Sequence, residues 1–361
     1  MNIFSRYLIK NIYLGFAATA AVLIPLFSTF DFINELDDVS SGGYHWTQAL
    51  MVVLLKLPRC LIDLSPFIAL LGGIVGLGQL SKSLELTAMR VSGLSVFKIA
   101  MVTLFAGFIF TLALSCLDEW VASPLQQRAL QLKDRAEARG ETHSGSVNAL
   151  WARRDNEFVT IKTLDESDQP VGIEIFRYHQ DLTLDYYIFA KTATPGDKGI
   201  WTLYDVNQKS WRNGKETTQF QKSMLWTSIF NHASLKELMM PGDSFSVVQL
   251  KDYIRYLRAT EQPDLEFSIA LWQKLGRPVL ILAMILLGVP FTFSNPRSPG
   301  LGSRLATGAM TGLLTYVSDQ IIVNLGLLFS LNAPLTVLTP PFALLIVALI
   351  WVSQFDKKHQ S

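Results

Sequence analysis

The chain has 361 residues, is 50% hydrophobic and only 17% charged, and carries a formal net charge of +1. A soluble protein of this size carries about 25% charged residues, so an ordinary soluble enzyme is excluded first. A nearly neutral chain also lacks the basic footprint of a nucleic-acid binder.

The charge deficit is local. In chain order, Ile12–Phe30, Leu61–Leu80, Phe97–Leu117, Pro278–Phe293, Leu305–Phe329 and Leu335–Val352 are nearly free of charge. Crossing a hydrocarbon core takes roughly 20 apolar residues. Five of the six stretches meet that length, and Leu271, Trp272 and Leu275 extend the short fourth one. The first run is too long for a signal peptide and no small-x-small site follows it, so it is read as a retained span.

Short loops set the orientation. One side holds Arg6, Lys10, Lys82, Arg90, Lys98, Arg297, Arg304, Lys357 and Lys358. The other holds Asp31–His45, with four acids and no Lys or Arg, and the turn Ser330–Pro334. The basic side is expected to be cytoplasmic, with both termini inside and residues 118–270 outside.

Within that outer segment the period changes to two. Phe158–Lys162, Val171–Tyr178, Leu182–Phe189 and Gly199–Val206 alternate, and Asp155-Asn156, Asp168-Gln169-Pro170, Pro195-Gly196-Asp197 and Asn213-Gly214 separate them. The spacing predicts an antiparallel sandwich or barrel-like domain. Its edges are either open to a partner strand or capped. Flanking helices are expected at Pro124–Arg139 and Val247–Ala259. The fold class is therefore an α-helical polytopic membrane protein, six transmembrane helices arranged 3 + 3, with an inserted periplasmic all-β, jelly-roll-like domain. The division is 1–139, 140–243 and 244–361.

The chemistry-bearing motifs are sparse. No G-x-x-x-x-G-K-[ST], H-E-x-x-H, G-x-S-x-G or cysteine cluster occurs, and the five histidines are scattered. No catalytic residue, metal site or cofactor is expected within this chain. Cys60 and Cys116 sit at span ends as a disulfide or, the preferred reading, as small apolar residues. Gly72 and Gly76, and Gly308 and Gly312, are four apart, a spacing that lets helix backbones approach closely. Asp319 is the one acid well inside a span. At 1.5 Å per residue it lies roughly 21 Å above Leu305, as a cavity-lining group or a structural acid. Ser81–Gly93 reads as a short cytoplasmic helix, opened by serine, with Glu85 in its first turn and Gly93 at its end. It is a docking element or a solvated connector.

Several segments are recognisable together: Glu85–Gly93, Glu119-Trp120-Val121-Ala122 followed by Pro124, Leu150–Arg153, Leu250–Leu257, Trp272-Gln273-Lys274 and Tyr316–Gln320. In this order the chain resembles the lipopolysaccharide-export permeases of Gram-negative inner membranes, the LptF/LptG family, and the LptG branch more than LptF. The resemblance implies a homologous permease partner (LptF) and a cytoplasmic ATPase dimer (LptB) that hydrolyses the ATP. It also implies a periplasmic jelly-roll bridge (LptC/LptA) that receives lipopolysaccharide from the outer leaflet. The helix at 81–93 would be the coupling helix, with Glu85, Ala88, Met89 and Arg90 at the ATPase. Phosphates and sugars would meet Arg59, Lys133 and Arg135, with Arg59 and Arg135 better matched to family positions. Phe27, Phe30, Phe67, Tyr316 and Asp319 would line the acyl-chain cavity. Where the family can carry lysines after the first span, this chain has Asp31, Asp37 and Asp38. A lipid contact there would need divalent cations or the paralogous subunit. Two other function classes stand beside transport: a membrane relay of ATP hydrolysis that carries no lipid, and a membrane-bound envelope enzyme.

Overall fold

The computed structural model describes residues 3–39, 43–140, 150–154, 156–165, 169–179, 183–196, 199–212, 215–228, 240–259, 264–293 and 301–358. They form two compact units, Met1–Ala136 with Gly242–Ser361, and Glu137–Pro241.

The first unit is helical: α1 (Ile3–Asp37), α2 (Trp46–Asp63), α3 (Ser65–Lys82), α4 (Glu85–Val91), α5 (Val96–Leu117), a π-helical segment (Asp118–Ala122) running into α6 (Ser123–Gly140), then α7 (Val247–Ala259), α8 (Leu265–Thr292), α9 (Leu301–Leu328) and α10 (Ala333–Lys358). Among the described residues five apolar helices are long enough to cross a membrane, and α2 and α3, bent by 62° where they meet, pass the same test together as a broken span or a re-entrant loop. The second span expected from the sequence, Leu61–Leu80, falls mostly on α3, with the break near its start. Pro66 has no N–H to give and its ring crowds the carbonyl of Ile62. The Ser65 hydroxyl donates to that carbonyl at 2.6 Å, so the break leaves it satisfied.

Helix α3 is buried along most of its length, and glycines set how close its neighbours come. A Cβ on Gly72 would meet the Phe16 backbone at 2.8 Å, and one on Gly76 the Asn11 carbonyl at 2.5 Å. Gly15 of α1 faces Gly72 and Gly76 in turn, a third small residue that the four-residue spacing does not reveal. On another side a Cβ on Gly312 of α9 would meet the Phe67 ring at 3.2 Å. Helix α8 is buried over most faces, through Ile281, Ala283, Met284, Ile285, Leu286 and Val289, as expected of a helix apolar all round. Helices α1 and α9 instead leave large apolar side chains uncovered, among them Val22, Phe27, Phe30, Met310, Leu314 and Ile321.

The second unit is one antiparallel sheet of six strands in sequential order: β1 (Leu150–Arg154), β2 (Glu157–Leu164), β3 (Pro170–Tyr178), β4 (Leu184–Pro195), β5 (Ile200–Arg212) and β6 (Lys215–Thr227). The inserted all-β domain is present. Its described strands follow a simple meander, however, without the crossover connections of a true jelly roll, because each strand pairs with the next across a short turn. Alternation in β2 to β5 buries Val159, Ile161, Ile173, Ile175, Ile188, Leu203 and Val206 on one face around Trp201. The sheet curls enough for Trp226 of β6 to donate its indole N–H to Glu157 of β2 at 2.9 Å, while its ring meets Trp201 edge-on at 5.8 Å. Trp226→Phe keeps the packing and removes the donor. Unfolding of the β unit, followed by tryptophan fluorescence, is expected to lose about 1.5 kcal/mol. An unshifted transition would mean that the curl does not depend on this bond.

Candidate functional site

Two charged clusters lie where α1, α2, α6 and α8 approach one another. The first is centred on Glu35, near the end of α1. Its carboxylate accepts from Lys56 at 2.6 Å, from Lys133 at 2.9 Å and from the Tyr44 hydroxyl at 3.2 Å. Lys133 also bonds Asp38 at 2.5 Å. Beneath them Tyr44, Ala49, Val52 and Ala129 form a small apolar cluster. Glu35 thus ties the end of α1 to α2 and α6, while Phe27 and Phe30 earlier in α1 are exposed.

The second cluster is built on the π segment. Asp118 is buried and accepts from Lys274 of α8 at 2.8 Å and from Arg59 of α2 at 3.5 Å. Arg59 also meets Asp63 at 3.1 Å and approaches Asp243 at 4.0 Å. Arg277 pairs with Asp63 at 3.0 Å, and Ser123 bonds Lys274 at 3.2 Å. The next residue of the π segment, Glu119, turns to α7 and accepts the backbone N–H groups of Val247 and Val248 at 2.8 and 3.3 Å. These are donors that the first turn of a helix leaves unsatisfied. Tyr253 of α7 packs on Phe245 and Phe267, holding α7 against α8.

At the other end of the bundle, α4 begins after Leu84, which sits in the left-handed region at φ 62°, and Gly93 follows it at φ 92°. The helix therefore starts at Glu85, not at the preceding serines, because α3 continues through Lys82. Ser83 donates to the Glu85 carboxylate at 2.9 Å. Leu86 and Met89 are buried in the core of the helical unit. The Arg90 guanidinium lies over the Phe293 ring at 5.9 Å. Leu84, Thr87, Ala88 and Val91 are exposed.

A profile for the family described as lipopolysaccharide export system permease LptF/LptG matches residues 6–354. The chain belongs to this family. It is 28% identical over 351 residues to the lipopolysaccharide export system permease protein LptG of Escherichia coli strain K12, covering 96% of this chain and 97% of that protein. The LptG of Haemophilus influenzae is also 28% identical, over 352 residues, covering 97% of this chain and 98% of its own.

Against that family background, the residues singled out from the sequence fall into three groups. Arg59 and Lys133 are not free cations. Arg59 is 8% exposed and surrounded by carboxylates, and Lys133 is held by Glu35 and Asp38. Asp38 thus serves as an internal partner of Lys133. Arg135 is exposed on α6. Phe67 and Tyr316 meet, with ring centroids 5.7 Å apart, while Phe27 and Phe30 lie on α1, on the other side of α3. Asp319 is half-buried on α9. On α4, Ala88 is exposed and Glu85 half-buried, Met89 points into the core, and Arg90 turns to Phe293. Cys60 and Cys116 are both free thiols. No group of three or more potential metal ligands occurs among the described residues.

Sequence reasoning missed Asp63, Asp118, Lys274 and Arg277 as a cluster. The charge-free core of the fourth span begins at Pro278, and its extension through Leu271, Trp272 and Leu275 counts the apolar residues while passing over Lys274 and Arg277 between them. Helix α8 starts at Leu265, so both cations sit within an apolar helix. Ionisable residues inside a span are the signal that would have found them.

Proposed function

We propose that this chain is a permease subunit that extracts lipopolysaccharide from the outer leaflet of the inner membrane and passes it to a periplasmic bridge. The family match across residues 6–354 carries the reading. Support also comes from the uncovered apolar faces of α1 and α9 on either side of α3. A homologous permease closes these faces into a cavity for acyl chains, walled by Phe27, Phe30, Phe67 and Tyr316. Arg135 supplies an exposed cation for the phosphates. The loops rich in Lys and Arg lie in the cytoplasm, and the β unit lies in the periplasm. In the cytoplasm α4 presents Glu85, Thr87 and Ala88 to an ATPase dimer, which supplies the ATP hydrolysis this chain has no motif for.

A photocrosslinker at Tyr316, which is 47% exposed, is expected to capture lipopolysaccharide, and one at fully buried Ile74 is not. A membrane relay that carries no lipid would give no adduct at either position. A membrane enzyme would turn over substrate when purified without the ATPase.

A further inference from the structure

We propose that the Asp118 cluster is an exchangeable joint, through which α8 shifts against α2 and the π segment during transport, with Lys274 as its positioning residue. The inference rests on the permease reading above and adds a place where motion is converted. Three observations combine. Asp118 is shared by two buried cations, Lys274 at 2.8 Å and Arg59 at 3.5 Å. Arg59 has further carboxylates within reach, Asp63 at 3.1 Å and Asp243 at 4.0 Å, and Arg277 already holds Asp63 at 3.0 Å. Arg59 leaving Asp118 therefore arrives near Asp63 or Asp243, while Lys274 has the Ser123 hydroxyl at 3.2 Å as its second partner. The exchange of Arg59 strands no charge in the interior, which is what makes the rupture of an isolated buried pair costly. Close-packed apolar side chains in the same space have one best register and resist sliding.

The second observation is the backbone that carries Asp118. A π segment is a rare local widening, frequent at functional sites. Here it aims consecutive acids at different helices, Asp118 at α2 and α8, and Glu119 at the amides that open α7. A shift of α8 past Asp118 is therefore felt at the start of α7.

The third is the opposite end of α8. Phe293, immediately after the helix, lies under the Arg90 guanidinium of α4, and Leu86, Met89 and Phe293 share one buried core with Ile285 and Val289. One helix, Leu265–Thr292, thus carries both contacts, with Lys274 and Arg277 of its first half at the ion cluster and Phe293 just past its C-terminus at α4. A push on α4 reaches the cluster through this one packed helix, which bears interior prolines at Pro278 and Pro290, as part of a contiguous network between two distant sites.

The test replaces the ion pair with apolar side chains, Asp118→Leu with Lys274→Met, in the complete complex with its ATPase in proteoliposomes containing purified lipopolysaccharide. The double variant is expected to assemble with a thermal midpoint close to the parent's. It should hydrolyse ATP within about twofold of the parent but release about tenfold less lipopolysaccharide per ATP. Lys274→Arg, which keeps the charge, should retain the parental ratio. A double variant with the parental release per ATP overturns the joint and leaves the permease reading intact. A parent complex that releases no lipopolysaccharide with ATP overturns the permease reading itself. Because the double variant could fail to assemble, the motion is also read with the cluster intact. Spin labels at Val121 and Leu275, both exposed, in a Cys60→Ser, Cys116→Ser background should change separation by about 1–2 Å or more between nucleotide-free and nucleotide-trapped complexes, the scale of helix shifts in switching proteins. An unchanged separation sinks the joint whatever the variant does.

Discussion

Gly76→Leu is expected to prevent α1 from docking on α3 and to leave no assembled, transport-competent complex. A Cβ at this position already falls 2.5 Å from the Asn11 carbonyl and 3.0 Å from the Ile12 Cα. These are backbone atoms, which cannot rotate away as a side chain can. Overpacking an ordinary core costs about 1–3 kcal/mol, and this site exceeds that because the whole helix must move. The lost contacts include Ile12 and Phe16, both buried against α3 in the main apolar core. Gly76→Ala should already lower the thermal midpoint of the detergent-solubilised complex. Gly73→Ala is the matched control, since a Cβ there meets nothing within 4 Å, and it should be neutral or slightly stabilising through its helix propensity. Equal midpoints for Gly76→Ala and Gly73→Ala would mean that α1 and α3 are not held at this distance in the working protein.

The same helix pair shows how far local sequence carries and where it stops. Hydropathy locates the spans because water exclusion acts on every residue of a span alike, and Val247–Ala259 emerges with the boundaries its apolar face implies. Alternation finds β2 to β5 because one face of each is buried. Strand β6 escapes it, since Phe220 and Leu225 are exposed and blur the pattern. Strand order is also silent in the sequence, because alternation reports which face is buried and not which strand lies beside it. For the charged residues the gap is wider. Arg59 and Lys133 have the right chemistry for a phosphate, but whether a cation is free depends on the acids that the fold brings to it. Asp118 lies 59 positions from Arg59 and 156 from Lys274. Glu35 lies 21 positions from Lys56. No local spacing rule reaches such distances. The resemblance to a family supplies expected roles for positions, yet only the observed pair with Lys133 shows what Asp38 does.

Single substitutions in the Asp118 cluster should rank by how much charge they strand. Asp118→Leu removes the one carboxylate bonded to Lys274 in the described structure and a partner of Arg59, leaving three cations beside Asp63 and the more distant Asp243. Removing one member of a buried ion pair costs about 3–5 kcal/mol, because its mate stays buried and uncompensated. Asp118→Leu should fall in that range, read as a lowered thermal midpoint of the complex. Lys274→Met should cost less, because Asp118 keeps Arg59 at 3.5 Å and the Ser123 hydroxyl at 3.4 Å. Combining the two should recover most of the lost stability, since neither charge is then left alone, a non-additivity that a double-mutant cycle measures directly. If the two single losses simply add in the double variant, Asp118 and Lys274 act independently, and the α8 cation would have to be balanced by Asp63 through its neighbour Arg277. The ranking thus separates a network centred on the π segment from one centred on the bend between α2 and α3. Only the first ties the position of α8 to the Glu119 contact with α7.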